Sequence, residues 1–129
     1  MNLTEEQAIV KTVDTYLKAV KTGDVSLFEK AFYWDAVVIS GREDDPKKAV
    51  TPIAVFANNV KKGHESGKPA EEIPLGMSVS YVGHVASVRL DFELRRSDQV
   101  LYGTDYFNLV KRNGEWKLSQ KIFDIIHTK

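Results

Sequence analysis

The sequence predicts an α+β fold, a cone-shaped, curved antiparallel sheet packed on three N-terminal helices. Three observations carry that prediction. In the first half of the chain apolar residues recur at helical spacing, between recognisable cap and stop residues. From Met77 onward they alternate every second residue, as in strands with one face on a core. Near the end, Asn113-Gly114 separates two long runs of strand character, the strongest short-range hairpin signal. Helices segregated from a run of consecutive strands give α+β rather than alternating α/β order.

The elements follow in order. Thr4 to about Thr22 reads as an amphipathic helix: Thr4 and Gln7 have capping-box spacing, Leu3 can staple the first turn, and Ile9, Val13, Tyr16, Leu17 and Val20 form one face. Gly23 stops it and Asp24 caps a short second helix, whose buried side is Leu27, Phe28, Ala31 and Phe32. Asp35 to Ser40 is a buried strand by its β-branched run, and Gly41 to Lys48 a charged loop. Thr51-Pro52 reads as the opening of a third helix, with Ile53, Phe56, Ala57 and Val60 as its apolar face and Gly63 as its end. His64 to Pro74 reads as a mobile polar loop.

Met77–Val82 and Val85–Leu94 flank a turn at Gly83-His84. In the second of these, Ala86, Val88, Leu90, Phe92 and Leu94 share one face, opposite Ser87, Arg89, Asp91, Glu93 and Arg95. Arg96-Ser97-Asp98 turns the chain into Gln99–Val110, and Glu115–Ile126 completes the sheet. There is no internal repeat and no linker composition, so residues 1–129 read as a single domain.

Composition narrows the function classes. Eighteen basic and eighteen acidic side chains cancel, so no global field draws in nucleic acid or an anionic membrane. The absence of cysteine removes disulfides, thiolate catalysis and cysteine-bound metals. No basic and apolar leader opens the chain and no apolar run approaches the ~20 residues of a membrane helix, so a cytoplasmic protein is the expectation. Dinucleotide, P-loop and serine-hydrolase motifs are lacking, and no cofactor is expected. His64, His84 and His127 fall in a loop, a turn and the C-terminal tail as solvated groups, without metal-ligand spacing.

The closing hairpin carries the candidate chemistry. With a two-residue loop at Asn113-Gly114, Arg112 faces Glu115, Asn108 faces Ser119 and Tyr106 faces Lys121. Alternation then groups Asp105, Phe107 and Leu109 with Trp116, Leu118, Gln120, Ile122 and Asp124 on the concave face, and leaves Lys121 outside. A β-bulge would exchange the faces and bring Lys121 in. A carboxylate beside an apolar cavity has a raised pKa that suits proton transfer, so Asp105 is the first candidate; a structural role, as a cap or a pair with a backbone amide or Lys121, is the alternative. Tyr16 can turn its hydroxyl into the same space.

Three stretches resemble a known family. They are Phe32-Tyr33-Trp34-Asp35-Ala36, Val82-Gly83-His84-Val85-Ala86, and Asp105-Tyr106-Phe107-Asn108-Leu109 running into Gly114-Glu115-Trp116-Lys117-Leu118 and Lys121-Ile122-Phe123. On these the chain resembles the nuclear transport factor 2-like superfamily, with its cystatin-like fold, and within it the small bacterial branch described as putative lumazine-binding. Tyr33-Trp34 stand where that branch usually has His-Pro, and Asp124 where a His often stands. The resemblance implies a cone-shaped barrel, commonly a homodimer across the outer sheet face, and no single activity. Mixed charge at Arg89, Asp91, Glu93, Lys117 and Lys121, near Tyr102, Val100, Phe123 and Ile125, fits such an interface.

The expected function is binding of a small hydrophobic or aromatic ligand in a pocket lined by Tyr16, Val20, Phe32, Ile39, Phe56, Met77, Leu90, Phe107, Leu118 and Ile122, with Asp105, Gln120 and Asp124 as polar fixtures. The alternative is a cofactor-independent isomerase, dehydratase or cyclase, with Asp105 or Asp35 as general base and Tyr16 as donor to an oxyanion. A scaffold role, with the cone packed shut, is the third.

Overall fold

The computed structural model describes residues 3–43 and 49–128, with side chains to Ile126; most of the charged loop expected over Gly41–Lys48 lies outside the described residues. Helix α1 (Glu5–Thr22) starts as its sequence dictates: Gln7 N donates to Thr4 Oγ1 at 3.1 Å and Thr4 N to Gln7 Oε1 at 3.0 Å. Gly23, with φ 71°, caps its far end by donating to Ala19 O at 2.8 Å. Asp24 then caps α2 (Val25–Ala31) by accepting from Ser26 N at 2.9 Å.

Strand β1 (Phe32–Ser40) begins at Phe32, a residue the helical pattern assigns to α2; its side chain still joins the core. Thr51-Pro52 belongs to a short edge strand, β2 (Val50–Pro52), which pairs Thr51 with Val38 and Pro52 with Val37. An edge tolerates the missing proline N–H, and α3 (Ile53–Glu65) starts one residue later. It runs through Gly63 and takes in His64. Strands β3 (Ala70–Val82), β4 (Val85–Arg96), β5 (Gln99–Arg112) and β6 (Glu115–Thr128) complete the order. β3 starts seven residues before Met77, so of the loop expected over His64–Pro74 only residues 66–69 are loop, with His64 and Glu65 ending α3 and Ala70 to Pro74 opening β3. Ile73 and Leu75 continue the alternation of Met77 and Val79, but Glu71-Glu72, Pro74 and Gly76 give the stretch the composition of a loop, and the pairing shifts between Pro74 and Gly76.

The six strands form one curved sheet in the order β2-β1-β6-β5-β4-β3. Every neighbouring pair is antiparallel except β1 with β6, which is parallel and departs from the all-antiparallel expectation. Helices and inner sheet face share a core of Ile9, Val13, Tyr16, Phe28, Phe32, Val88, Leu90, Phe107, Leu109 and Leu118. Tyr16 lies edge-on to Phe107 at 5.3 Å and Phe32 at 5.8 Å, the geometry that the ring quadrupole favours. Among the described residues no helix is long and apolar enough to cross a membrane.

The β5–β6 hairpin turns through Asn113 (φ 53°) and Gly114 (φ 78°), both left-handed as its sequence predicts. Its register then slips twice. Leu109 faces Leu118 while Asn108 faces Gln120, so Ser119 is an extra residue whose hydroxyl donates to Asn108 O at 3.0 Å. Gly103 faces Ile125 while Tyr102 faces His127, so Ile126 is a second. The Asp124 carbonyl and the Phe92 ring fill the space that a Cβ on Gly103 needs. Gly103→Ala is therefore expected to lower stability by about 1–3 kcal/mol, read from the urea midpoint, because backbone cannot yield as a side-chain end would.

Candidate functional site

Helices α1 and α3 and the inner face of the sheet leave a half-open cavity of about 590 Å³ between them. Helix α1 supplies Tyr16 and Val20, and α3 supplies Phe56, Asn59 and Val60. The sheet supplies Val38 and Ser40 from β1, Glu72 from β3, Phe92 and Leu94 from β4, and Lys121, Phe123 and Ile125 from β6. Arg42, Lys68 and Arg96 stand at its rim.

Four ionisable groups meet at its floor. Lys121 is 4% exposed, and its Nζ lies 3.6 Å from Asp105 Oδ1, on a carboxylate that is fully buried. The ammonium also sits 5.0 Å from the Tyr16 ring centroid, 4.8 Å from Phe56 and 4.4 Å from Phe123, inside an aromatic cage that attracts cations. Glu72, itself buried, completes the group, and neither Asp105 oxygen nor Glu72 Oε2 has a hydrogen bond within 3.5 Å.

Burial raises the Asp105 pKa well above the carboxylate value of 3.8; the Lys121 ammonium pulls it down and the Glu72 carboxyl pushes it up, and burial prevails. Burial likewise raises the Tyr16 hydroxyl well above its ordinary value, with Glu72 and then Asp105 adding to the effect. Two carboxyls and one ammonium in an apolar site relieve their excess negative charge by retaining a proton. The floor thus holds two carboxyls, an ammonium and a phenolic hydroxyl within one space, groups of the kind that can transfer protons.

The structure gathers some of the expected residues here and not others. Tyr16, Val20 and Phe56 line the cavity. Phe32, Leu90, Phe107 and Leu118 are packed beneath it as core, Met77 is partly buried against that core, and Val38 takes the inward place expected of Ile39. Asp105 points inward but lies behind Glu72 and Lys121 rather than on the cavity wall. The extra residue at Ser119 turns Gln120, Ile122 and Asp124 to the outer face, which removes them from the pocket, and turns Lys121, Phe123 and Ile125 inward, which removes those from the outer surface. Asp35 is exposed on β1, where pairing with β6 shifts between Phe32 and Val37, and it does not reach the site.

His64 is also relocated: it is half-buried in α3, its Nε2 2.8 Å from Val20 O, and ties α3 to α1 rather than facing solvent. His84 lies in an exposed turn and His127 in β6, its side chain outside the described residues. Among the described residues no three His, Asp or Glu groups assemble as a metal site. Sequence reasoning missed Glu72 altogether. Its signal was a period-two pattern, Ala70, Glu72 and Pro74, with a charge at an inward place.

A family model described as putative lumazine-binding matches residues 4–124. Among solved structures, a nuclear transport factor 2-like protein of unknown function from Shewanella baltica is 26% identical, with 99% of this chain and 98% of that one covered at a TM-score of 0.68. A nuclear transport factor 2-like protein from Cytophaga hutchinsonii is 14% identical, covering 96% and 100%, at 0.75. A putative scytalone dehydratase from Novosphingobium aromaticivorans is 19% identical, covering 97% and 86%, at 0.77. At these last two identities the likeness is one of fold. No protein of curated function matches the chain.

The raised Asp105 pKa has a consequence for stability. Between 3.8 and its folded value the native state binds more protons than the unfolded chain, so this contribution is complete below 3.8 and is lost as pH rises through the folded pKa. Asp105→Asn removes the titration. The stability of the native chain relative to that variant is expected to fall steadily as pH is raised from 4, measured as urea midpoints at several pH values; a constant difference would contradict the assignment.

Proposed function

The chain belongs to the putative lumazine-binding family of the nuclear transport factor 2-like superfamily, and from that premise we propose that it binds a small, flat, largely apolar molecule in the cavity between helices and sheet. The observation that carries this reading is the cavity itself. At about 590 Å³ it falls within the ~300–1,000 Å³ typical of small-molecule sites. Its wall is largely apolar between polar groups at the floor and cations at the rim, which fixes a ligand's orientation. A scaffold role with a cone packed shut does not fit so open a space.

A second reading is favoured by the unpartnered oxygens at the floor. Glu72 faces the cavity, Asp105 lies behind it with its pKa raised, and Tyr16 presents a hydroxyl beside both. That set suits a cofactor-independent isomerase, dehydratase or cyclase, with Glu72 removing a proton next to a carbonyl, Tyr16 donating to the oxygen that gains charge, and Asp105 as a positioning residue.

The outer sheet face supports a partner as well. Ile39, Ile122 and Tyr106 stand side by side across three strands, with Ile122 39% and Tyr106 51% exposed, and Arg89 lies over the Tyr106 ring at 5.8 Å. An apolar row with a polar rim fits a homodimer built on this face.

Three measurements test these readings. Lumazine and 2-naphthol, followed by thermal shift, are expected to stabilise the chain, and Val60→Trp, which fills the cavity, to abolish the shift; no shift from either compound, or one that survives the filled cavity, argues against the pocket. For proton transfer, 2-tetralone incubated in heavy water is expected to exchange its α-protons faster than in buffer, and Glu72→Gln to remove the excess; exchange at the buffer rate leaves binding alone. Sedimentation is expected to give a dimer that Ile122→Glu with Tyr106→Glu converts to monomer, and a native monomer would sink the interface.

A further inference from the structure

The charge on the cavity wall is graded from floor to rim, and the gradient names a class of ligand. The chain as a whole carries no net charge. Among the described residues the rim nevertheless holds Arg42, Lys68 and Arg96 and no carboxylate; the one acid on the wall, Glu72, is buried at the floor. The fold places the rim cations by simple rules. Arg96 is the last inward residue of β4, following Phe92 and Leu94 at every second position, and it pairs across from Ala70 at the start of β3. Lys68 lies just before β3, held against the end of α3 by its own N–H, which donates to Gly63 O at 2.8 Å. Both side chains are exposed, and neither forms an ion pair with another described residue.

A ligand reaching from floor to rim therefore meets a hydrogen-bonding end, then an apolar belt that includes Phe56, Val60 and Phe123, then a cationic edge. An anion does not belong at the floor. There the Lys121 ammonium already has Asp105 at 3.6 Å, and Glu72 stands beside them. At the rim an anion meets positive charge, with no competing carboxylate on the wall among the described residues. A cationic ligand would be repelled there on entry, and a neutral one would leave the edge unused.

Resting on the pocket reading above, we infer that the ligand is an organic anion: a flat apolar body carrying a carboxylate, with the carboxylate between Lys68 and Arg96 and an uncharged polar end facing Tyr16 and Glu72. Because the rim is open to solvent, this preference weakens with salt over a screening length of about 8 Å at physiological ionic strength.

Titration calorimetry with 2-naphthoate and 2-naphthamide, which share one apolar body, tests the inference. At low salt the naphthoate is expected to bind about tenfold more tightly, as charge-assisted hydrogen bonds exceed neutral ones, and to lose that margin as salt is added. Lys68→Ala with Arg96→Ala should remove the preference while leaving the amide's affinity in place. Arg95→Gln, an equal loss of charge beside Glu93 on the other sheet face, should leave the preference intact. Equal binding of the two probes, or a preference that survives the double variant, overturns the anion and leaves the pocket standing. Binding of neither overturns both.

Discussion

A lysine ammonium lies inside this core, and much of the architecture follows from keeping it there. Isolated burial of such a charge costs far more than a small domain can bear. Lys121 is retained because Asp105 lies 3.6 Å away and because the faces of Tyr16, Phe56 and Phe123 surround the Nζ at 5.0, 4.8 and 4.4 Å. The pair contributes little net stability, since its attraction is spent offsetting desolvation. Losing one partner is another matter, costing about 3–5 kcal/mol through the uncompensated charge left behind. The ion pair thus constrains the register of β5 against β6, the seating of α1 and the placement of α3, each of which brings one of these groups.

That register depends on one residue. Without the extra residue at Ser119, Lys121 would point to the outer face and Ile122 would enter the core. The bulge exchanges them, and in doing so makes both surfaces of the sheet. Inside, Lys121, Phe123 and Ile125 build the cavity wall; outside, Ile122 joins Ile39 and Tyr106 in an apolar row. The second extra residue, Ile126, falls where Gly103 lets the Asp124 carbonyl and Phe92 approach closely. Bulges of this kind bend a strand and increase its twist, in keeping with a curved sheet that leaves room beneath the helices.

The parts of the fold legible in the sequence are those with local causes. Thr4 and Gln7, Asp24, Gly23 and Asn113-Gly114 act on neighbours within a few residues, and each did what its chemistry predicts. Asp105 was legible as an inward carboxylate because it lies on the same side of the slip as Phe107. Lys121 was not, because Ser119 carries no propensity that marks it as an extra residue, and the slip shows only when β5 and β6 are laid together. Glu72 was hidden for a related reason. Ile73, Leu75 and Met77 alternate as one strand face, which would turn Glu72 outward; the extra residue at Leu75 exchanges the faces, so that Glu72 points inward with Ala70 and Pro74. The fold was read from the residues that obey the local rules, and the site was built from those that break them.

The same electrostatics link the floor to the rim. Burial favours the protonated form of Asp105, which lessens the negative charge gathered around Lys121 and weakens the field that a ligand's uncharged polar end meets at the floor. Ionisation of Asp105 would add negative charge to the floor beneath the apolar belt. An anion held by Lys68 and Arg96 would then feel repulsion through a wall that screens poorly, whereas at the rim itself water screens the attraction well. The protonation of Asp105 would therefore bear on the proposed binding and on the proposed proton transfer alike. It would set an acid beside Glu72, and it would lower the charge that an anion of the kind inferred meets at a site whose buried groups include two carboxyls.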